Sequence, residues 1–398
     1  MISVEAARAR ILAGLVPVAA ESVALSAAHG RVLAAPVLAR LSAPPANVSA
    51  MDGYAVRAAE ARAGADLRVT GEAPAGRPFT GVVGPGEAVR IFTGSVVPPG
   101  ADAVLIQENA TAAGGRVRVN EAVAAGRYIR RAGQDFQAGE EVLAAGRRLS
   151  VRDIGLAAAA GYPWLSVRRR PRLAILCTGD EIALPGEPLP PGGIANANGA
   201  MLAAFIAARG GEPLLLPAIP DEAAAVAQAV EAARGADMLV ITGGASVGAH
   251  DVVQEGLGRR GFSLAFWKIA MRPGKPLIFG RAGEMPVLGL PGNPVSAYVC
   301  ARLFLEGALA ALSGSPPAPP RVETAILGAA LKANDEREDY LRAGLAWDGQ
   351  GWVATPLPLQ DSAMLRGLAG AGALIRRAPR AAAAAPGDRV EILRLDER

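Results

Sequence analysis

The opening residues have the spacing of an amphipathic helix. Apolar side chains recur every three or four positions, at Val4, Ala7, Ile11 and Leu15, and Ser3 stands where an N-cap would be. This pattern predicts a helix over 3–16. From about residue 50 to 145 the chain is rich in Gly and Pro and its apolar runs are short, which predicts a small β-rich module. A second helix is predicted near 152–160.

Residues 172–312 follow a different pattern, in which buried strands alternate with helices. Strands are predicted at 173–177, 213–218 and 238–242, and helices at 199–208 and at 221–234, the latter with Asp221 as its cap. Two more apolar runs, 276–279 and 286–290, lead into a helix that begins at Asn293-Pro294. This alternation predicts a parallel sheet flanked by helices.

A Pro-rich linker at 315–320 precedes a C-terminal part with short strands and a turn at 348–351. The chain is therefore expected to be a multidomain α/β plus β protein. The expected parts are a mixed helical domain (1–46 with 140–170), an inserted β-rich domain (47–139), a central parallel-sheet α/β domain (171–314) and a small β-barrel-like domain (320–398).

Composition narrows the function classes. The 398 residues are 51% hydrophobic and 20% charged, which is typical of a folded protein. A net charge of +4 is too small for this length to indicate a nucleic-acid partner. No uncharged apolar stretch reaches the roughly 18 residues that a membrane span needs, so a cytoplasmic protein is expected. Two histidines exclude a three-His zinc site, and the distant pair Cys177 and Cys300 predicts buried free thiols.

Acidic and hydroxyl side chains follow each of the first three predicted strands of the central domain. Asp180-Glu181 follow the first strand, Asp221 the second, and Ser246 and Asp251 the third. The carboxyl ends of parallel strands share one edge of a sheet, where ligands bind. Carboxylates gathered there can hold Mg²⁺ through oxygen ligands. The structural alternative is that Asp221 caps its helix and Asp180 shapes a turn.

Two loops have the composition of anion-binding sites. Residues 242–248 are Gly-rich and leave a strand, so several backbone N–H groups can point at a phosphate. Residues 289–296 run from a strand into a helix with Asn293 at the cap and Pro294 at the first position, and such a helix start also attracts anions. For either loop alone, an ordinary structural turn is the simpler interpretation.

A cationic loop lies between these two loops in sequence. Lys268 and Lys275, two of only three lysines in the chain, flank Arg272. With the carboxylates and Gly-rich loops, these cations predict phosphoryl or phosphoanhydride chemistry, although a solvated surface turn is the simpler alternative. The match of residues 244–248 to a serine-hydrolase elbow fails, because the sole later histidine, His250, is only four positions on.

Several longer strings carry a family resemblance. They occur in family order as SAMDGYAV (49–56), IFTG (91–94), PPGAD (98–102), TGDE (178–181), GGASVG (243–248), MRPGKP (271–276) and GLPGNPVSA (289–297). Together they resemble the molybdopterin molybdenumtransferase family, which includes the bacterial MoeA proteins and the gephyrin E domain. The resemblance covers essentially the whole chain.

This resemblance implies a homodimer of four-part subunits, with a central domain of the molybdopterin-binding fold. It implies insertion of molybdate, a substrate, into adenylylated molybdopterin with release of AMP. Mg²⁺ would be held by Glu181, Asp221 and Asp251, and the catalytic set would add Lys268 and Lys275. The substrate-binding set would comprise Asp52, Thr93, Asp135, Ser246, Arg272, Asn293, Ser296, Arg342 and Ser362, with Asn293 added from its place at the helix start.

Further partners are expected from the same resemblance, namely transient contact with molybdopterin adenylyltransferase and with apo-molybdoenzymes, and no nucleic acid or membrane. The chain departs from the family pattern at Arg272, where many members have Lys, at Gln134, and at the Asn196–Asn198 segment. Two alternatives remain open at this stage. One is a molybdopterin adenylyltransferase, which shares the central domain but would not need the flanking modules. The other is a scaffold or binding protein.

Overall fold

The computed structural model describes residues 1–243 and 249–395, with the side chains of 249–251 also outside the description. The chain divides into two compact units. The first contains residues 1–21, 30–34 and 166–398, and the second contains residues 22–29 and 35–165.

Residues 1–168 form two helices and many short strands. The helices are α1 (Val4–Leu12) and α2 (Val151–Ala159). The strands are β1 (Ala20–Ala24), β2 (Val37–Leu38), β3 (Val48–Ser49), β4 (Gly53–Val56), β5 (Asp66–Ala73), β6 (Glu87–Ile91), β7 (Ala103–Ile106), β8 (Ala110–Ala113), β9 (Arg116–Val119), β10 (Ile129–Arg130), β11 (Glu141–Leu143) and β12 (Trp164–Arg168). The predicted opening helix is confirmed, and Ser3 caps it by accepting the N–H of Ala6 at 3.1 Å.

The second unit is built around a six-stranded sheet in the order β7-β4-β6-β5-β9-β8. Val, Ala and Leu side chains from both faces of this sheet form two small cores. The β-rich character predicted from the Gly- and Pro-rich sequence is confirmed. Helix α2 begins with a capping box in which Ser150 and Asp153 each bond the other's backbone N–H.

Residues 172–312 form the central α/β part of the first unit. Its strands are β13 (Arg172–Cys177), β14 (Ile182–Ala183), β15 (Ile194–Ala195), β16 (Glu212–Leu215), β17 (Met238–Thr242), β18 (Phe262–Trp267), β19 (Met271–Arg272), β20 (Ile278–Ala282) and β21 (Met285–Leu290). Its helices are α3 (Ala197–Ala208), α4 (Ala223–Ala232), α5 (Ala249–Gly258), α6 (Pro294–Cys300) and α7 (Glu306–Leu312), the last two joined by a π-helical segment, Ala301–Leu305.

The central sheet has the order β16-β13-β17-β21-β20-β18 and is mixed rather than wholly parallel. Strands β16, β13, β17 and β21 are parallel, whereas β20 and β18 are antiparallel to their neighbours. The predicted parallel sheet is confirmed for these four strands, and the two antiparallel strands at one edge make the whole sheet mixed. Only Gly283 and Glu284 separate the paired residues Ala282 and Met285, a connection that closes a hairpin but is too short for a crossover.

Helices cover both faces of this sheet. Helices α1, α3, α6 and α7 pack on one face in a core that extends into the C-terminal part, and α4 and α5 pack on the other. The continuous helix Pro294–Leu312 has the length and apolarity of a membrane span, with a mean hydropathy of 1.5, but 78% of it is buried inside the protein. It is a core helix of this domain.

The C-terminal part is a small closed barrel. Its strands are β22 (Glu323–Leu327), β23 (Glu338–Trp347), β24 (Trp352–Pro356), β25 (Ala373–Arg377) and β26 (Arg389–Arg394), with one short helix, α8 (Leu365–Ala369). The order β23-β24-β22-β26-β25 closes because β23 also pairs with β25. The predicted barrel-like domain is confirmed. Strand β19 of the central part adds to this barrel in parallel with β23.

Candidate active site

A cleft of about 1110 Å³ opens in the first unit, at the carboxyl ends of β13 and β17 and beyond the end of β21. The central part and the barrel both contribute to its walls. The sequence-predicted residues that line it are Glu181, Asp221, Arg272, Lys275, Asn293, Ser296 and Ser362. The cleft therefore brings together the carboxylates, the cationic loop and the helix start that the sequence singled out separately.

A carboxylate cluster forms one side of this cleft. Asp221 donates its backbone N–H to Asp180 Oδ1 at 3.3 Å, and its own Oδ1 is buried without a hydrogen-bond partner among the described residues. Burial raises the pKa of Asp221; the neighbouring Thr178 hydroxyl opposes this rise, while Asp180 and Glu181 add to it. Helix α4 begins instead at Ala223, with Glu222 in the cap position. The prediction that Asp221 caps this helix was wrong, because its side chain belongs to the carboxylate cluster.

The cluster has part of what a divalent cation requires. Like charges and a buried oxygen without a partner make an environment that a hard cation would stabilise. Within the described side chains, no three metal-ligating groups converge. The predicted third ligand, Asp251, lies in α5 with its side chain outside the description, and Ser246 lies wholly outside the described residues. Of the three predicted metal ligands, Glu181 and Asp221 are the two that the structure places in the wall of the cleft.

The backbone approaches very closely where β13 and β17 end. Gly243 has φ +102°, and a Cβ there would lie 2.0 Å from the carbonyl oxygen of Thr178. Only glycine fits at this position. The close approach of Thr178 therefore explains why the first residue of the Gly-rich loop after β17 is a glycine.

Asn198 is a cleft residue to which the sequence analysis assigned no role. It lies in the first turn of α3, and its Nδ2 donates to Thr242 Oγ1 at 3.0 Å and to the carbonyl oxygen of Gly292 at 2.6 Å. It therefore ties together the two loops predicted to bind anions. The sequence signal for it was the Asn196–Asn198 segment, which stands at a family position but departs from the family pattern.

The start of α6 is already partly occupied by the chain itself. Val295 donates its backbone N–H to the carbonyl oxygen of Ser362 at 3.0 Å, and Asn293 Nδ2 donates to Ser362 Oγ at 2.8 Å. Pro294 has no N–H to offer. A barrel loop therefore takes up one of the donors of this helix start, and phosphate binding by the remaining donors stays a prediction.

The three cations of the loop differ in their partners and in whether they line the cleft. Arg272 donates Nε and Nη2 to the two carboxylate oxygens of Asp339, at 3.0 and 2.5 Å. Lys275 is exposed at the cleft and has no ion pair with any described carboxylate. Lys268 does not line the cleft; its Nζ lies 3.5 Å from the ring centre of Trp267. The structure thus brings one of the two predicted catalytic lysines to the cleft.

Arg342 lies beneath the cleft rather than in its wall. The residue is 1% exposed, and its guanidinium donates to the carbonyl oxygens of Leu359, Asp361 and Met364 at 2.8–3.1 Å. These carbonyls belong to the loop that carries Ser362. Arg342 therefore holds a cleft-lining loop in place and is not itself among the residues that line the cleft.

Three predicted residues lie in the second unit. Asp52 Oδ1 accepts both the backbone N–H and the hydroxyl of Thr93, each at 2.8 Å. These two hydrogen bonds lower the pKa of Asp52, so it is held as a carboxylate. Asp135 is joined to Ala43 through its backbone N–H.

Family models match three consecutive parts of the chain. The MoeA N-terminal region (domain I and II) matches residues 2–161, a probable molybdopterin binding domain matches 174–311, and the MoeA C-terminal region (domain IV) matches 324–395. The chain belongs to the MoeA family.

Relatives in this family are named as enzymes. Molybdopterin molybdenumtransferase 2 of Mycobacterium tuberculosis is 35% identical over 366 residues, which cover 89% of this chain and 90% of that protein. The molybdopterin molybdenumtransferase of Haemophilus influenzae is 34% identical, with 89% and 88% covered. That of Nostoc sp. is 38% identical, with 74% and 70% covered.

A solved structure supports the same assignment. The MoeA protein of Pyrococcus horikoshii superposes with a TM-score of 0.87 at 27% identity, covering 99% of both chains. This MoeA-family chain is a molybdopterin molybdenumtransferase, a transferase of molybdenum cofactor biosynthesis.

Two residues, Asn198 in the wall of the cleft and Asp339 in the barrel, acquire their contacts from partners that are distant along the chain. Asn198 contacts Gly292, and Asp339 contacts Arg272.

Proposed function

We propose that this protein inserts molybdate into adenylylated molybdopterin, with Mg²⁺-dependent release of AMP. One observation carries the proposal. A single cleft has a carboxylate cluster around Asp221, one oxygen of which is buried without a partner, and, in its wall, the ammonium of Lys275, which has no ion pair among the described residues. A substrate with a phosphoanhydride and an oxyanion as second substrate requires two such environments within reach of each other.

The carboxylates would serve the adenylate. Glu181, Asp221 and Asp251 would hold Mg²⁺, which when bound would neutralise phosphate charge and polarise the phosphoanhydride. The raised pKa of Asp221 supports this role, because a carboxylate that is costly to ionise alone gains most from a cation. Ser246 would add a hydroxyl contact from the Gly-rich loop.

The cationic loop would serve the molybdate dianion. Lys275 offers an oxyanion a compact point charge with three rotatable N–H donors. Ser296 and Ser362 line the same cleft and offer hydroxyl groups, and Asn293 orients the second of these. Arg342 would contribute by holding the loop that carries Ser362. Lys268, stacked on Trp267, does not line the cleft and would attract the molybdate dianion only through its long-range positive charge.

Other features are proposed from the family resemblance. Asp52, Thr93 and Asp135 would form the substrate-binding set of the second unit, and the active protein would be a cytoplasmic homodimer. The four-domain division and transient contacts with molybdopterin adenylyltransferase and apo-molybdoenzymes are proposed on the same basis, as is the lack of a nucleic-acid or membrane partner.

The test is the molybdate dependence of AMP release at a fixed, saturating concentration of adenylylated molybdopterin. Lys275→Ala is expected to slow the release by roughly 10²-fold and to raise the molybdate concentration for half-maximal rate, because a preorganised charge is lost. Lys275→Arg should recover only part of the rate of AMP release, since a planar guanidinium replaces a compact ammonium. Lys332→Ala is the matched control, because this exposed barrel lysine does not line the cleft.

Two results would contradict the proposal. One is an unchanged rate and molybdate midpoint in Lys275→Ala. The other is net adenylylation of molybdopterin from ATP by the wild-type protein, which would favour an adenylyltransferase.

A further inference from the structure

The cationic loop is attached to the barrel by more than packing. Strand β19, which contains Arg272, pairs in parallel with β23, so that Met271 lies opposite Glu338 and Arg272 opposite Asp339. The backbone N–H of Glu338 also donates to the carbonyl oxygen of Ala270 at 2.9 Å. The loop is therefore an extra strand on the barrel, although it belongs in sequence to the α/β domain.

Asp339 is the principal side-chain partner in this attachment. It is only 5% exposed, and both of its oxygens accept hydrogen bonds from the Arg272 guanidinium. Such a two-bond pairing fixes the orientation of the arginine as well as its position. A lysine at 272 could make only one directed bond to this carboxylate at a time, so the arginine in this chain fits its partner.

The other acidic neighbour is already engaged. Asp335 lies 3.5 Å from Arg272 Nη1 but 2.7 Å from Arg337 Nη2. The hydrogen bonds from Arg337 lower the pKa of Asp335 to about 2, which marks Arg337 as its main partner. Asp339 is thus the carboxylate that offsets the charge of Arg272.

The consequence falls on Lys275, three residues further along the same loop. With Arg272 neutralised and held on the barrel, Lys275 is the loop cation that both lines the cleft and has no carboxylate partner among the described residues. Gly274, at φ +117°, makes the turn between the two cations. Fixing one end of so short a segment limits where the lysine at its other end can point.

We propose that Asp339 is a positioning residue for the oxyanion subsite: it holds Arg272 as a latch between loop and barrel and thereby aims Lys275 into the cleft. Arg272 then acts through this pairing rather than as an independent anion ligand. The inference rests on the proposed function, because it concerns the site where molybdate would bind.

The experiment is a double-mutant cycle on the full-length protein with Asp339→Asn, Arg272→Lys and the double variant. For each, the molybdate concentration for half-maximal AMP release and the maximal rate are measured separately. Binding of adenylylated molybdopterin and the melting temperature serve as checks on the fold. Glu391→Gln is the matched control, since Glu391 also pairs with a barrel arginine, Arg376, at 3.2 Å, but has no contact with the loop.

Each single variant should raise the half-saturating molybdate concentration about tenfold, the loss expected for one charge-assisted pair. The double variant should be no worse than either single one, because both remove the same latch. Binding of adenylylated molybdopterin should be unchanged in all of these variants. Glu391→Gln should keep the wild-type half-saturating molybdate concentration and maximal rate.

Multiplying effects in the double variant would overturn the inference, since Arg272 would then bind the anion independently of Asp339. Equal loss of binding for both substrates would also overturn it, because the role would be merely structural. Absence of molybdate-dependent AMP release in the wild-type protein would instead refute the proposed function, which keeps the two failures distinct.

Discussion

Replacing Gly274 by alanine should damage the cationic loop in a way that can be worked out from its surroundings. The residue has φ +117°, a conformation that costs a non-glycine residue about 1–3 kcal/mol. A Cβ built there would also lie 2.6 Å from Cys300 Sγ and 3.0 Å from Met271 Cε. Overpacking of a close-packed core costs roughly a further 1–3 kcal/mol. We therefore expect Gly274→Ala to lower the free energy of unfolding by about 2–6 kcal/mol.

Gly283→Ala is the control for the packing cost. Gly283 also has a positive φ, of +59°, but a Cβ there would meet nothing within 4 Å. This control should show the cost of a left-handed backbone without a steric clash. Urea unfolding of the two variants and the wild type would give a difference that contains the packing cost of the loop and the larger backbone cost at φ +117°.

The effect of Gly274→Ala on function is measured by the molybdate dependence of AMP release. Because Gly274 directly precedes Lys275, the shift that relieves the contact with Cys300 should also move the lysine and raise the half-saturating molybdate concentration. A stability loss in Gly274→Ala no larger than that in Gly283→Ala would refute the packing argument. Unchanged molybdate dependence in a destabilised Gly274→Ala would refute the link between loop and site.

Two further predictions concern the other sides of the cleft. The pKa of Asp221 is raised on folding, so the folded state binds the proton more tightly and stability falls as pH rises from the ordinary carboxyl range through the raised value. Asp221→Asn should therefore unfold at higher urea than wild type at pH 7 in the absence of Mg²⁺, an advantage that should vanish at low pH; no such gain would contradict the burial argument. Arg342→Lys should lower the free energy of unfolding by about 1–3 kcal/mol, because buried carbonyls are left without donors. It should also speed amide hydrogen exchange in residues 357–364. Unchanged exchange there would show that Arg342 does not hold that loop.

Local sequence was enough to predict much of the chemistry. The carboxylate after β13 and the one before α4 meet at one sheet edge because parallel strands place their carboxyl ends together, a property of topology rather than of particular contacts. The helix start at Asn293 was likewise visible, because a Pro after a cap residue reflects a local backbone requirement.

Other features depended on residues far apart in the chain. Arg272 and Asp339 are 67 positions apart, and neither looks different from an ordinary surface charge until β19 joins the barrel. The role expected for Arg342 changed because three loop carbonyls surround its guanidinium, and the helix start lost a free donor because Ser362 occupies it.

The sequence by itself determined which elements form and which residue types can do the chemistry, because caps, turns and apolar periodicity act over a few neighbouring positions. Only the tertiary structure decided which of the charges remain available to a substrate. A charge is available when no fixed partner has already offset it, and that depends on contacts between distant segments, such as the carboxylate of Asp339 on Arg272 and the absence of any described carboxylate on Lys275.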